Sequence, residues 1–539
     1  MSFQCRFIAT SKTPPPERVF IAMNITDITA LSAQALHNAI HAREVSCVEV
    51  LMAYWEQIKT HNPRFNAIVS LHSLEATDHH PGLLSLAQTL DEDLKAGHSR
   101  GFLHGMPMAP KDLANTKDCV TTMGSPLLRH YTPKDDALVV QRMRHAGALF
   151  IGKTNTPEFG LGSHTYNPVF GTTLNAYHPQ LSAGGSSGGA AVALALHMLP
   201  LADGSDFMGS LRNPAGWNNI FGLRPSQGRI PSLPSSDQFI SQLGTEGPMA
   251  RSVEDLARLL CIQAGPTPES PLSLSQSNAE FVAEIEAVLA GDPETLGSCF
   301  GQDRPYTVGW LGDLEGHLAY EVGVSEQCHL GLARFEALGA RVQEVRLGCD
   351  PDHIWQAWLT WRGALVAHRL GVLAQVPHAK EHMKPEALWE LEQSHGLSAE
   401  DLMRASSTRT QLYQRMLGLL QEHDVLALPS AQVWPFERGL AWPKAIVTAS
   451  GTRTMDTYHR WMEVVTYATL AGLPVLSVPA GFNNDGLPMG IQLIGQPQGE
   501  VALIKAGRAY ERQISDWLSV KPAVFNDAMA DSSPRPSAT

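Results

Sequence analysis

The chain has 539 residues, 43% of them hydrophobic, and a formal net charge of −13. That length suits a large α/β enzyme, the acidic balance argues against a broad nucleic-acid footprint, and no apolar run approaches the ~20 residues of a membrane span. Seven cysteines, scattered and without a Cys-x-x-Cys pair, argue against a disulfide framework and fit a reducing, cytoplasmic setting.

Residues 1–25 read as a polar extension, interrupted at Pro14, Pro15 and Pro16 and without the apolar core of a signal peptide; Met23 offers a second start. Residues 26–515 read as one domain. Leu31, Leu36, Ile40, Val48, Leu51, Tyr54 and Ile58 recur at helical spacing, with Ser46 as the N-cap of a second helix. Leu84 to Leu94 continues in the same style, and Asp135 to His145 reads as an amphipathic helix followed by a short buried strand over Ala148 to Ile151. Pro266 to Ser277 is a polar loop. Tyr306 to Leu311, about 320–338 and Arg341 to Val345 give strand, helix and strand, with Gly339 closing the helix; this βαβ pattern predicts parallel pairing under covering helices. Val425 to Pro429 and Val475 to Pro479 are further buried strands. Residues 516–539 form a tail that reads as disordered from about Asn526.

Two motifs mislead. Gly147 to Thr154 satisfies the Walker A pattern, but a helix precedes it and Ala148-Leu149-Phe150-Ile151 is strand-like, which is the wrong setting for cradling phosphate. Gly184-x-Ser186-x-Gly188 and Gly185-x-Ser187-x-Gly189 fit a nucleophile elbow, yet the segment before them is polar and broken by Pro179, where an elbow needs a hydrophobic strand. The 22 histidines show no ligand spacing, so no metal and no cofactor is implied.

The Lys111 segment (Leu103 to Asp112), the Gly184 to Gly189 loop and the Asp206 to Pro214 segment resemble, in order and spacing, the amidase signature family of serine hydrolases. Gly152 to Gly160, Gly472 to Gly481 and Gly486 to Gln492 extend the likeness over about residues 26–515. The resemblance implies an α/β/α sandwich: a mixed, twisted β-sheet covered by helices on both sides. It also implies that Ser210 is the nucleophile, Ser186 (after a cis peptide bond) the bridging serine and Lys111 the base. Chemically this is coherent, because a serine hydroxyl needs an adjacent base and lysine serves as one only when burial disfavours its charged form.

The same resemblance assigns the oxyanion hole to the backbone N–H groups of Phe207, Met208, Gly209 and Ser210, and reads Asp206 and Arg212 as braces of the nucleophile loop. Met208 stands where the family usually has glycine; it either lines the acyl or leaving-group pocket or packs into the core. Ser187 and Ser125 are placed near the lysine or substrate. The segments 165–172, 235–245 and 430–462 are expected to build the pocket, the last carrying Trp434, Trp442, Tyr458 and Trp461. The implied activity is hydrolysis of a linear amide in a small aromatic or apolar substrate, with anilides, carbamates and esters suited to the same machinery. A homodimer stays open as the assembly. The alternatives are an amidotransferase component that acts in a complex, or the same fold kept as a binding protein without chemistry.

Overall fold

The first long helix starts where its cap is written. Ser46 Oγ accepts from the Glu49 N–H at 3.1 Å while Glu49 accepts from the Ser46 N–H at 2.8 Å, a capping box opening the Cys47–Phe65 helix. Ser32 caps the preceding Ala33–His41 helix from one side only, its Oγ accepting from the Ala35 N–H. The helix expected from Asp135 begins later, at Leu138. The reason is Asp136, whose carboxylate accepts from the Lys117 N–H and the Arg144 guanidinium instead of entering the first turn.

This computed structural model describes residues 25–78, 80–292, 296–297 and 304–525; the expectations for residues 1–24 and for the tail from Asn526 lie outside the described residues. Eight strands form the central sheet: β1 (Ala202–Asp206), β2 (Phe221–Arg224), β3 (Thr245–Ala250), β4 (Thr307–Trp310), β5 (Arg341–Glu344), β6 (Val425–Pro429), β7 (Val475–Phe482) and β8 (Pro488–Ile494). Their spatial order is β5-β4-β6-β8-β7-β2-β3-β1. The expected βαβ unit is present: β4 pairs in parallel with β5 and with β6, and the Val324–Ala337 helix makes the crossover. The parallel expectation stops there, because every pairing from β6 to β1 is antiparallel. A five-residue turn joins β7 to β8, with Asn483 Oδ1 accepting from the Asp485 and Leu487 N–H groups, and such a short link allows only antiparallel partners.

Strands β6 and β8 are buried along their whole length, as expected for a sheet covered on both faces. The Gly188–Ala195 helix is buried on every side, which its small residues permit. A Cβ at Gly189 would stand 2.4 Å from Asn155 N and 2.5 Å from Ala67 O, so the helix touches the neighbouring backbone directly. The described part of the tail stays on the body: Tyr177 OH donates to Val520 O at 3.0 Å and the Phe525 ring meets the His61 ring at 5.5 Å. No helix among the described residues is long and apolar enough to cross a membrane.

Candidate active site

Lys111 follows the short Pro107–Met108 strand. Its backbone N–H donates to Asp203 Oδ2 on β1 at 3.2 Å, which anchors the residue so that its buried side chain runs to three serines. Nζ lies 2.7 Å from Ser186 Oγ, 2.8 Å from Ser187 Oγ and 3.1 Å from Ser205 Oγ, with Ser205 O at 3.2 Å. Burial pulls the Lys111 ammonium well below the ordinary lysine range, against the upward pull of Glu246, Asp206 and Asp203. A ring of hydroxyls suits either protonation state, because each can accept from an N–H or donate to the amine lone pair. The Gly185–Ser186 peptide bond is cis.

Strand β1 delivers the second serine. After Asp206 the chain turns through Phe207, Met208 and Gly209 into Ser210 and the Asn213–Trp217 helix. Asp206 is fully buried and organises this turn. Its Oδ1 accepts from the Gly209 N–H at 2.9 Å and from Arg212 Nη2 at 2.8 Å, and its Oδ2 from the Leu211 N–H and Arg212 Nε at 3.0 Å each. The remaining Arg212 donors reach Val465 O, Gln492 Oε1 and Thr469 Oγ1, and Arg224 Nη1 adds a bond to Asp206 O at 2.6 Å. Burial pushes the Asp206 carboxyl up, but the two guanidiniums outweigh it and hold it far below the usual carboxylate range.

This network corrects the expectation of four oxyanion donors, because the Gly209 N–H is already spent on Asp206. It also shows why Met208 is tolerated. The left-handed backbone falls on Gly209 (φ +81°) and not on Met208, and a Cβ at Gly209 would meet Val465 Cγ2 at 2.8 Å. Glycine is therefore needed at one of the two positions only.

Ser186 (3% exposed), Ser210 (5%) and Met208 (6%) open onto one cavity of ≈ 590 Å³. Residues of the 235–245 segment line it, as expected, whereas 165–172 does not; Gly160 to Ser163 stands there instead. From 430–462 only the end contributes, through His459, Trp461 and Met462. Tyr458 lies behind the wall, its OH donating to Glu390 Oε1 at 2.6 Å while accepting from Arg362 Nη2 at 2.6 Å. Trp434 Nε1 donates to Val322 O and Trp442 sits under Lys444, both away from the cavity. Ser125 reaches neither Lys111 nor the cavity: it caps the turn at Pro126–Leu128, its Oγ accepting from the Leu127 N–H.

Three helices missed in the sequence are Pro351–Ala374, Pro385–Gln393 and Ala399–Leu420, and the first of them closes one side of the cavity. Arg362 and Val366 from the first of them face it, and the Arg362 guanidinium stands 5.4 Å from the Phe207 ring, tying that helix to the turn between β1 and Ser210. The signal was available: Ile354, Trp358, Arg362, Val366 and Leu370 recur at i+4, an apolar stripe interrupted by one arginine. Ser205 and Glu246, which also line the cavity, were missed as well.

Lys153, the lysine of the Walker-like run, is buried on a short strand and donates to Ala114 O and Thr116 Oγ1, both at 2.6 Å. It is structural. Lys153→Met is expected to destabilise the protein by on the order of 2 kcal/mol, since it leaves those acceptors unsatisfied. Magnesium–ATP should leave the wild-type melting temperature where it is; a rise would contradict this assignment.

A family model described as Amidase matches residues 49–504. An acylamidase of Rhodococcus erythropolis is 30% identical over 496 residues, covering 92% of this chain and 97% of that one. One component of the glutamyl-tRNA(Gln) amidotransferase of Ralstonia nicotianae is 30% identical over 528 residues, covering 92% of this chain and 100% of its own. Among solved structures, a bacterial aryl acylamidase superposes with a TM-score of 0.80 at 25% identity over 91% of this chain and 98% of its own.

Proposed function

Since the chain belongs to the amidase family and is an enzyme of carbon–nitrogen bonds other than peptide bonds, we propose that it hydrolyses a linear amide of a small aromatic or apolar substrate through an acyl-enzyme on Ser210. The observation that carries this reading is the buried Lys111 amine ringed by Ser186, Ser187 and Ser205, at the wall of the cavity that Ser210 shares. Ser210 Oγ attacks the carbonyl carbon, its proton passing to Ser186 and the Ser186 proton to the neutral Lys111 amine. The N–H groups of Phe207, Met208 and Ser210 hold the oxyanion, each such donor being worth about 2.7–4 kcal/mol. Proton return along the same path protonates the leaving nitrogen, and water then repeats the sequence on the acyl-enzyme to release the acid. Asp206, Arg212 and Ser187 keep the turn and the amine in place.

An anilide is the substrate class we favour. Trp461, Phe207 and Phe159 are rings lining the cavity, and His459 (3% exposed) lines it with both ring nitrogens lacking a hydrogen-bond partner. Aromatic walls interspersed with polar groups such as His459 and Arg362 suit a ring bearing a polar substituent. Carbamates and esters present the same carbonyl and leaving group and belong to the same proposal. The test is a hydrolysis screen of aryl anilides, alkyl amides, carbamates and matched esters, with wild type beside Ser210→Ala. Turnover of anilides that disappears in the variant supports the reading. Labelling of Ser210 by a fluorophosphonate without turnover of any substrate would favour a component of a larger complex, and absence of labelling a protein without chemistry.

Met208 supplies a sharper test of the pocket. Met208→Gly is expected to change the ratio of kcat/KM between bulky and small acyl groups by about tenfold, the scale of one or two methylenes in a pocket. Uniform scaling of all substrates would show that its side chain only positions the turn.

A further inference from the structure

Lys111 does not face hydroxyls alone. Strands β1 and β3 are antiparallel with Ser205 directly opposite Glu246, and directly opposed residues project from the same face of a sheet. Ser205 Oγ lies 3.1 Å from Lys111 Nζ, so that face presents the Glu246 carboxylate to the amine as well. Glu246 is half-buried and lines the cavity with Ser186, Ser205 and Ser210, and the proton path above gives it no task.

The other charged groups around the amine are Asp203 and Asp206 from β1 and Arg369 from the Pro351–Ala374 helix; Lys153 also faces Glu246. Asp203 Oδ2 is held by the Lys111 N–H, and Asp206 is locked between Arg212 and Arg224. Arg369 donates to Phe159 O at 3.0 Å, and Lys153 is tied to Ala114 and Thr116. Asp203 Oδ1 is buried without a hydrogen-bond partner, so Asp203 and Glu246 are the two carboxylates left to act on the amine, and Glu246 is the one that lines the cavity.

We propose that Glu246 is a positioning residue for Lys111: its carboxylate, presented from β3 on the face that carries Ser205, favours the charged amine through space in the resting enzyme and so sets the pH at which Lys111 becomes a neutral base. This rests on the reading that Lys111 accepts the Ser210 proton. A neighbouring anion favours the ammonium form and burial opposes it. Burial likewise pushes the Glu246 carboxyl up, with Asp203 adding to the push and Lys111 resisting it. The two groups thus compete for a proton inside one wall of the cavity.

The experiment is the rate of fluorophosphonate labelling of Ser210 as a function of pH in the full chain. Wild-type labelling should fall on the acid side as Lys111 becomes charged. Glu246→Gln removes the anion at nearly constant shape and is expected to move that acid limb to lower pH by about one unit or more, so that on the limb the variant reacts roughly tenfold faster than wild type. Glu246→Ala, also neutral, should move it the same way, and Glu246→Asp should return it most of the distance. A limb that stays in place in both neutral variants overturns the proposal, as does an equal shift in Glu246→Asp, which loosened packing alone would give. Wild type that labels with no acid limb also overturns it. If labelling never depends on Ser210, with Ser210→Ala as the control, the underlying reading fails and the proposal with it.

Discussion

Ser210→Ala is expected to lower kcat/KM by roughly 10⁵–10⁶-fold, the scale seen when the nucleophile of a serine hydrolase is removed and only binding and the oxyanion donors remain. The loss should fall almost wholly on kcat, because the substrate meets the cavity walls before the Ser210 oxygen forms any bond. Thermal stability should barely change, since alanine occupies the same backbone with one oxygen fewer. Two cavity serines compete for the role, and the same assay decides between them. Ser186 is bonded to Lys111 directly, so if Ser186 were the attacking group its alanine variant would lose fluorophosphonate labelling while Ser210→Ala kept it. The proposed mechanism predicts the reverse: Ser186→Ala slows labelling, and Ser210→Ala abolishes it.

The largest stability effect is expected at Asp206→Asn. Asp206 and Arg212 are fully buried, as is Arg224, and removing one member of such a group leaves uncompensated charge in a low dielectric, at a cost of about 3–5 kcal/mol. The unfolding midpoint in denaturant should fall accordingly. Activity should fall as well, because the asparagine amide keeps one acceptor oxygen and sets its NH2 against the other of the Gly209 and Leu211 N–H groups, which loosens the turn around Ser210. The pH dependence has a definite sign. The folded-state carboxyl of Asp206 is held below its unfolded value of about 3.9, so its contribution is fully present above that value and is lost as the pH falls through the folded one. Wild-type stability should therefore decline below about pH 4, and the asparagine variant should lose that part of the decline. An unchanged midpoint at neutral pH would refute the role given to this pair.

Local signals were legible and long-range ones were not. Ser46 announced its helix because a cap and its partner Glu49 lie three residues apart. The β4–helix–β5 unit was readable for a similar reason, since its periodicity changes within a short stretch. The antiparallel pairings of β1, β2 and β3 depend on segments that share no local pattern. In the site, Lys111, Ser186 and Ser210 were named through a family resemblance spanning separate segments; Ser186 is bonded to the Lys111 amine, and Ser186 and Ser210 line one cavity. Ser205 and Glu246 were invisible because only the β1–β3 register makes them neighbours. The Gly209 N–H was assigned to the oxyanion because its actual acceptor, Asp206, depends on a side-chain direction that no sequence pattern records. Ser125 was misplaced for the opposite reason: a serine before proline is a good cap, and the cap won.

The cover of the cavity has a topological consequence. The helix that closes one side, Pro351–Ala374, lies with two further helices in a single stretch between β5, ending at Glu344, and β6, starting at Val425. Lys111, Ser186, Ser205 and Ser210 all precede that stretch, and no atom of the proposed proton path comes from it. The proposed proton path and this part of the cavity wall are thus written in separate lengths of chain, while Phe207, Met208 and the 235–245 segment build another part of the wall close to the path itself.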